Sequence, residues 1–310
     1  MTGLLRALCA FSIVAGCSPG VRPAGSPEKQ RVSSSPEPRS RITLTYQGVA
    51  GWQLTAGSTT LLVDPYFSRP EIESEAPISS DLAAVRAHAP AQAAAILIGH
   101  SHADHLLDAP AVARLTGAEL IGSESTAHYA RAAAVPATQI ITVKGGEDFA
   151  FPSFSLRVIP SLHSALDGKH RFGANQVIPS DVTLPLRFAD FGEGGTLAYL
   201  VRSAGHEVLF LDTANFIERE LEGIHPDVAV IATGLRHEIH DYSCRLMSVL
   251  GSPPLVFANH FDDWRRTPVP TSQLSPKIQA DLAQFRAELR ACSPHTRLIV
   301  PEPFSPNVVE

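Results

Sequence analysis

Three imidazoles and a carboxylate stand within one short stretch, His100-Ser101-His102-Ala103-Asp104-His105. Imidazole nitrogen and carboxylate oxygen are the donors that hold Zn²⁺, Mn²⁺ or Fe²⁺, so this spacing points to a metal centre. The apolar run Ala94–Gly99 directly precedes it and reads as a strand buried on both faces. A loop leaving such a strand can turn several side chains toward one point. Three further candidates follow apolar runs: His163 after Val158-Ile159, Asp212 after Val208–Leu211, and His260 after Val256-Phe257-Ala258. Each alone reads first as a turn cap or a hydrogen-bonded loop residue. Their shared position, just past a strand, joins them to the cluster.

The elements that must position these residues alternate in type. Ile42–Tyr46, Gly51–Thr55 and Thr59–Val63 are short runs rich in β-branched and aromatic residues and read as strands. Ile140–Val143, Phe154–Ile159, Thr196–Val201, Glu207–Leu211, Val228–Ile231 and Leu255–Ala258 read the same way. Ala109–Leu115 and Ser125–Ala134 read as helices, and Ser272–Ala291 as a long helix introduced by a Ser/Thr cap region. Strand clusters mixed with helices imply an α/β fold with two helix-covered sheets, not one doubly wound parallel sheet.

His-x-His-x-Asp-His followed by a distant His, an Asp and a His resembles the metallo-β-lactamase superfamily, over roughly residues 41 to 265. The resemblance implies a four-layer αβ/βα sandwich with two divalent metal ions at one edge, zinc by default, with manganese or iron compatible. It assigns His100, His102 and His163 to one ion and Asp104, His105 and His260 to the other, with Asp212 bridging. It implies a hydrolase in which a metal-bound water gives up its proton near neutral pH and attacks as hydroxide, with Asp104 also orienting that water. Asp212 stands where one type of β-lactamase has cysteine and another has no bridging carboxylate, which disfavours antibiotic hydrolysis. The substrate class is then an ester, lactone or phosphodiester, on a small-molecule or lipid-like compound. Leu61-Leu62-Val63-Asp64-Pro65 is similar to an element of the L-ascorbate-6-phosphate lactonase and N-acyl-phosphatidylethanolamine phospholipase D relatives. The Gly-His-Ala of that subset reads Gly48-Val49-Ala50 here, without its histidine. Two other readings stay open: a non-catalytic metal-binding surface lipoprotein, and a di-iron redox variant of the fold.

Several residues carry two readings. Asp64 either caps the turn before Pro65 or orients a ligand histidine from behind. His237 and His240 are candidates to line the substrate pocket or to begin a polar helix. Asp262-Asp263-Trp264 orients His260 or shapes the pocket wall. Lys169-His170-Arg171 lies in a long insertion that suggests a lid, and reads as an anion contact or as a solvated charge run.

The chain of 310 residues is 44% hydrophobic and 18% charged, with formal net charge −6. That composition supports a large core and, lacking basic blocks, argues against a nucleic-acid partner. Residues 1–17 read as an export signal: Arg6, an apolar stretch from Ala7 to Val14, then Val14-Ala15-Gly16-Cys17, which resembles a bacterial lipobox. Cys17 would carry lipid, residues 18–40 would form a disordered tether rich in Pro, Ser and Gly, and residues 41–310 the folded domain. The expected location is the bacterial cell envelope, membrane-anchored. Cys244 and Cys292 remain, as a disulfide or as two free thiols.

Overall fold

The computed structural model describes residues 39–72, 75–165 and 176–310. The expected signal, Cys17, nearly all of the tether and Lys169-His170-Arg171 lie outside the described residues. At the domain's start Arg39 pairs with Asp227, and the Ser40 N–H donates to the Ala204 carbonyl at 2.9 Å. Among the described residues no helix is long and apolar enough to cross a membrane.

Two seven-stranded mixed sheets face each other. The first contains β1 (Ile42–Gly48), β2 (Gly51–Ala56), β3 (Thr59–Val63), β4 (Ala95–Leu97), β5 (Glu119–Gly122) and β6 (Ile140–Thr142). The second contains β7 (Asp148–Ala150), β8 (Ser155–Pro160), β9 (Leu197–Ser203), β10 (His206–Leu211), β11 (Val228–Ala232), β12 (Leu255–Asn259) and β13 (Arg297–Ile299). The chain ends in β14 (Pro306–Val309), which returns to the first sheet antiparallel to β1. Each sheet is antiparallel on one side and parallel on the other, from β3 to β6 and from β10 to β13.

Strand alternation decides the layers. Leu61, Val63, Ala95 and Leu97 point into the space between the sheets, where they join Trp52, Val230 and Phe257. Leu62, Ile96 and Ile98 point the other way and pack on an outer helical layer. That layer holds α1 (Leu82–His88), α2 (Ala103–Leu106), α3 (Ala109–Thr116) and α4 (Glu124–Ala132), which contribute Val85, Leu106, Val112 and Ala130. On the far face lie the short α5 (Glu218–Leu221), α6 (Tyr242–Val249) and α7 (Pro276–Cys292), the last burying Leu282, Phe285 and Leu289 at helical spacing. This is the expected four-layer αβ/βα sandwich.

Boundaries differ from the sequence reading for local reasons. The long helix begins at Pro276, not Ser272, because Ser275 caps it and proline favours the first helical position. A separate 3₁₀ turn occupies Thr271–Gln273. Helix α4 starts at Glu124 under the Ser123 side chain. The ladder of β4 covers only Ala95–Leu97, so Ile98 and Gly99 peel away toward the motif. Strands β5, β7, β13 and β14 and helices α1 and α6 were not legible as separate elements.

Cys244 and Cys292 form a disulfide that ties α6 to α7 across 48 residues. Closing a loop of that length restricts the unfolded chain by about 4 kcal/mol in the chain-entropy account. Urea unfolding of the Cys292→Ala protein is expected to show a loss approaching that size, and an unchanged midpoint would contradict it.

Candidate metal centre

All seven predicted side chains converge at the carboxyl ends of the strands. Three groups have ligand atoms within 4.8 Å of one another: His100, His102 and His163; His100, His105 and Asp212; and Asp104, His105 and His260. The motif loop supplies four of these residues. After Gly99 the chain passes His100 and His102, then turns into the single helical turn of α2, which carries Asp104 and His105. The second sheet supplies His163 after β8, Asp212 after β10 and His260 after β12.

The two contributions meet at Gly99. A Cβ built on this glycine would fall 2.1 Å from Asp212 Oδ2, so only glycine leaves room for the carboxylate. The Leu197 N–H donates to the Gly99 carbonyl at 2.7 Å, and the Tyr199 hydroxyl donates to the Ile98 carbonyl at 2.7 Å. Strand β9 therefore fixes the root of the motif loop. Asp212 Oδ2 lies 2.6 Å from His100 Nδ1 and 3.6 Å from His105 Nδ1. It thus stands between one member of each triad.

Hydrogen bonds behind the imidazoles select which nitrogen faces the centre. His163 Nδ1 lies 3.0 Å from the Ser164 carbonyl, which can only accept, so Nδ1 carries the proton and Nε2 keeps its lone pair. The Asn215 side chain donates to the His163 carbonyl at 3.0 Å, and the Ser164 N–H donates to Thr213 Oγ1 at 3.0 Å. Thr213 and Asn215 thus hold the His163 loop, a role the sequence reading missed. Asp64 is fully buried with a left-handed backbone (φ 43°), accepts the Gly99 N–H at 2.8 Å and lies 3.0 Å from His105 Nδ1. The structure thereby places Asp64 behind a motif histidine and leaves His105 Nε2 directed at Asp104, 3.7 Å away. Asp108 accepts the Phe67 and Ser68 N–H groups and so moors the loop that follows Asp64.

The electrostatics suit cations. Burial, then neighbouring imidazoles, lowers His100; burial first lowers His102 to about 3 and His163 to about 4, keeping them neutral donors at ordinary pH. Burial opposes ionisation of Asp104, but His105 and His260 outweigh it and hold that carboxyl below the usual range. Burial works against a proton on His260 as well, yet the Asp104 carboxylate 3.4 Å away leaves it raised. Burial, with Asp64 second, pushes Asp212 up to about 8. Both ring nitrogens of His105 are buried without an aligned hydrogen bond. Buried polar atoms left in that state are costly, and a bound cation would satisfy Nε2. The residues therefore fit bound metal.

His237 and His240 are not part of this gathering. His237 Nε2 lies 2.7 Å from Asp281 on α7, where buried Arg236 also pairs with Asp281 and Glu288, and His240 is exposed.

Two mixed sheets flanked by helices, with this cluster at their carboxyl edge, define a metallo-β-lactamase sandwich. A model described as the beta-lactamase superfamily domain matches residues 59–244. A UPF0173 metal-dependent hydrolase from Heliobacterium modesticaldum is 34% identical over 245 residues, covering 79% of this chain and 88% of that protein. Another from Methanopyrus kandleri is 22% identical over 269 residues, covering 84% and 97%. The solved structure of a metallo hydrolase from Ignicoccus hospitalis shares the fold, with TM-score 0.57 and 18% identity over 87% of this chain and 99% of that one. The chain belongs to the beta-lactamase superfamily, in its UPF0173 metal-dependent hydrolase family.

Two outcomes follow from this geometry. Gly99→Ala would overpack the floor of the site, and urea unfolding is expected to show a loss of about 1–3 kcal/mol; wild-type stability would mean that Asp212 does not rest on Gly99. In chelator-stripped protein His163 is expected to stay neutral until about pH 4. The unfolded chain takes up that proton first, near the ordinary histidine value, so this residue withdraws stability as pH falls through the interval between. An imidazole resonance of His163 titrating at the ordinary value would contradict the depression.

Proposed function

We propose that this protein is a hydrolase that holds two divalent cations, zinc by default, and cleaves an ester, lactone or phosphodiester. One position is formed by His100, His102 and His163, the other by Asp104, His105 and His260, and Asp212 is shared. The observation that carries this reading is the placement of the Asp212 carboxylate against both His100 and His105. When bound, two such cations supply Lewis acidity and a water acidified enough to act as hydroxide near neutral pH.

The chain's own residues do the remainder. Neutral imidazoles leave the cationic charge uncancelled on the first side. Asp104, held ionised by His105 and His260, would supply the carboxylate of the second side and orient a water bound there. A small-molecule or lipid-like substrate fits the sequence resemblance to the lactonase and phospholipase D relatives. The Leu61–Pro65 element supports kinship with the lactonase and phospholipase D relatives, without fixing the substrate.

The same proposal extends to location. The lipobox-like Val14–Cys17 supports export and lipid anchoring to the bacterial envelope, and the Cys244–Cys292 disulfide accords with an oxidising compartment. Net charge of −6 accords with a partner other than nucleic acid.

His102→Ala and Asp212→Ala are expected to lose metal and hydrolysis of esters, lactones and phosphodiesters together, while circular dichroism stays that of the parent. Full turnover by a metal-free His102→Ala protein would end the hydrolase mechanism. Tightly bound metal without turnover on any of these classes would favour the non-catalytic reading, and two irons per chain the redox one.

A further inference from the structure

His260 is the ligand candidate with the least ordinary backbone. It leaves β12 in a left-handed conformation (φ 48°), which a side chain with a Cβ rarely adopts unless its surroundings impose it. The surroundings come from the other sheet. The His260 N–H donates to the Val49 carbonyl at 2.8 Å, in the turn between β1 and β2. Asp262 Oδ1 accepts the Val49 N–H at 2.8 Å, which closes a ring between the two loops. The Tyr46 hydroxyl lies 2.8 Å from the same Oδ1 and 3.1 Å from the Val49 carbonyl, so its proton serves the junction of both.

The neighbours of His260 are fastened to the same strands. Asn259 Oδ1 accepts from Trp52 Nε1 at 2.9 Å, and the Phe261 ring stacks on Tyr46 at 5.2 Å. Tyr46 and Trp52 are fully buried, so these are fixed supports. A Cβ on Gly48 would fall 2.4 Å from Pro268, so the turn and the loop after β12 are in direct contact. The consequence is geometric. His100, His102, Asp104 and His105 belong to the first sheet's loop, whereas His260 belongs to the second sheet. This clasp is the route by which the first sheet sets where the second sheet's histidine points.

We propose that Asp262 is a positioning residue: through Val49 and Tyr46 it aims the His260 imidazole at Asp104 and His105, and so sets the affinity of that one metal position. This rests on the two-cation reading above. Asp262 would not touch the ion, and the position formed by His100, His102 and His163 would not depend on it.

The test is a zinc titration of chelator-stripped full-length protein against a competing chromophoric chelator. The wild type is expected to take up two zinc ions. Asp262→Ala removes both accepted hydrogen bonds and is expected to weaken the second zinc about 10–100-fold, leaving the first at wild-type affinity. Asp262→Asn keeps the Oδ1 acceptor and is expected to restore the second site. Tyr46→Phe, which removes only the hydroxyl, is expected to give a smaller loss at the same site and serves if the alanine protein does not fold. Three results would overturn the assignment: an unweakened second zinc in Asp262→Ala, equal weakening of both sites as a merely structural role would give, or an asparagine variant as weak as alanine. A wild-type chain that binds fewer than two zinc ions would instead bring down the two-cation reading, and this assignment with it.

Discussion

Asp212 approaches the site from the sheet that carries His163 and His260, yet its carboxylate rests where a Gly99 side chain would stand, on the loop of the opposite sheet. The motif loop gives His100 to one triad and His105 to the other, and Asp212 lies against both. The β10 carboxylate can do so only because the facing backbone is bare and because Leu197 and Tyr199 hold that backbone still. A buried carboxylate is expensive unless positive charge compensates it. Here burial raises Asp212 and Asp64 together, a condition that two cations in the same space would relieve.

That constraint gives the two triads different characters. One is all imidazole, kept neutral by burial; the other contains Asp104, kept ionised by His105 and His260. Asp212 and Asp104 are therefore shifted in opposite directions, the first chiefly by burial and the second by the imidazoles of His105 and His260. Such splitting suits a site that holds charge at one carboxylate while another is shared. The supports follow the same division. Asp64 lies behind His105, the Ser164 carbonyl accepts from His163 Nδ1, and the β1–β2 turn holds the last histidine from across the sandwich.

Much of this is legible in the sequence. His100 to His105 are contiguous, so their chemistry declares itself in six letters, and His163, Asp212 and His260 each follow a readable apolar strand. The two helix-covered sheets followed from strand clusters mixed with helices, and the four-layer sandwich from the resemblance of the motif. The supports were not legible, because their partners are remote: Trp52 meets Asn259 across 207 residues and Val49 meets Asp262 across 213. Nothing in the local pattern of Asp64 distinguishes a turn cap from a residue behind His105. His237 and His240 read in sequence as pocket-lining residues or a polar helix start; they follow β11, where Asp281 of α7 takes His237 and His240 is exposed. Strands of three or four residues, such as β7 and β13, are too short to show a period.

The central claim is that two cations share one carboxylate. Anomalous diffraction from crystals of protein purified without added metal, collected on both sides of the metal absorption edge, tests it most directly. Two peaks are expected, one among His100, His102 and His163 and the other among Asp104, His105 and His260, with Asp212 reaching both. A single peak, or a pair that leaves Asp212 out, would contradict it.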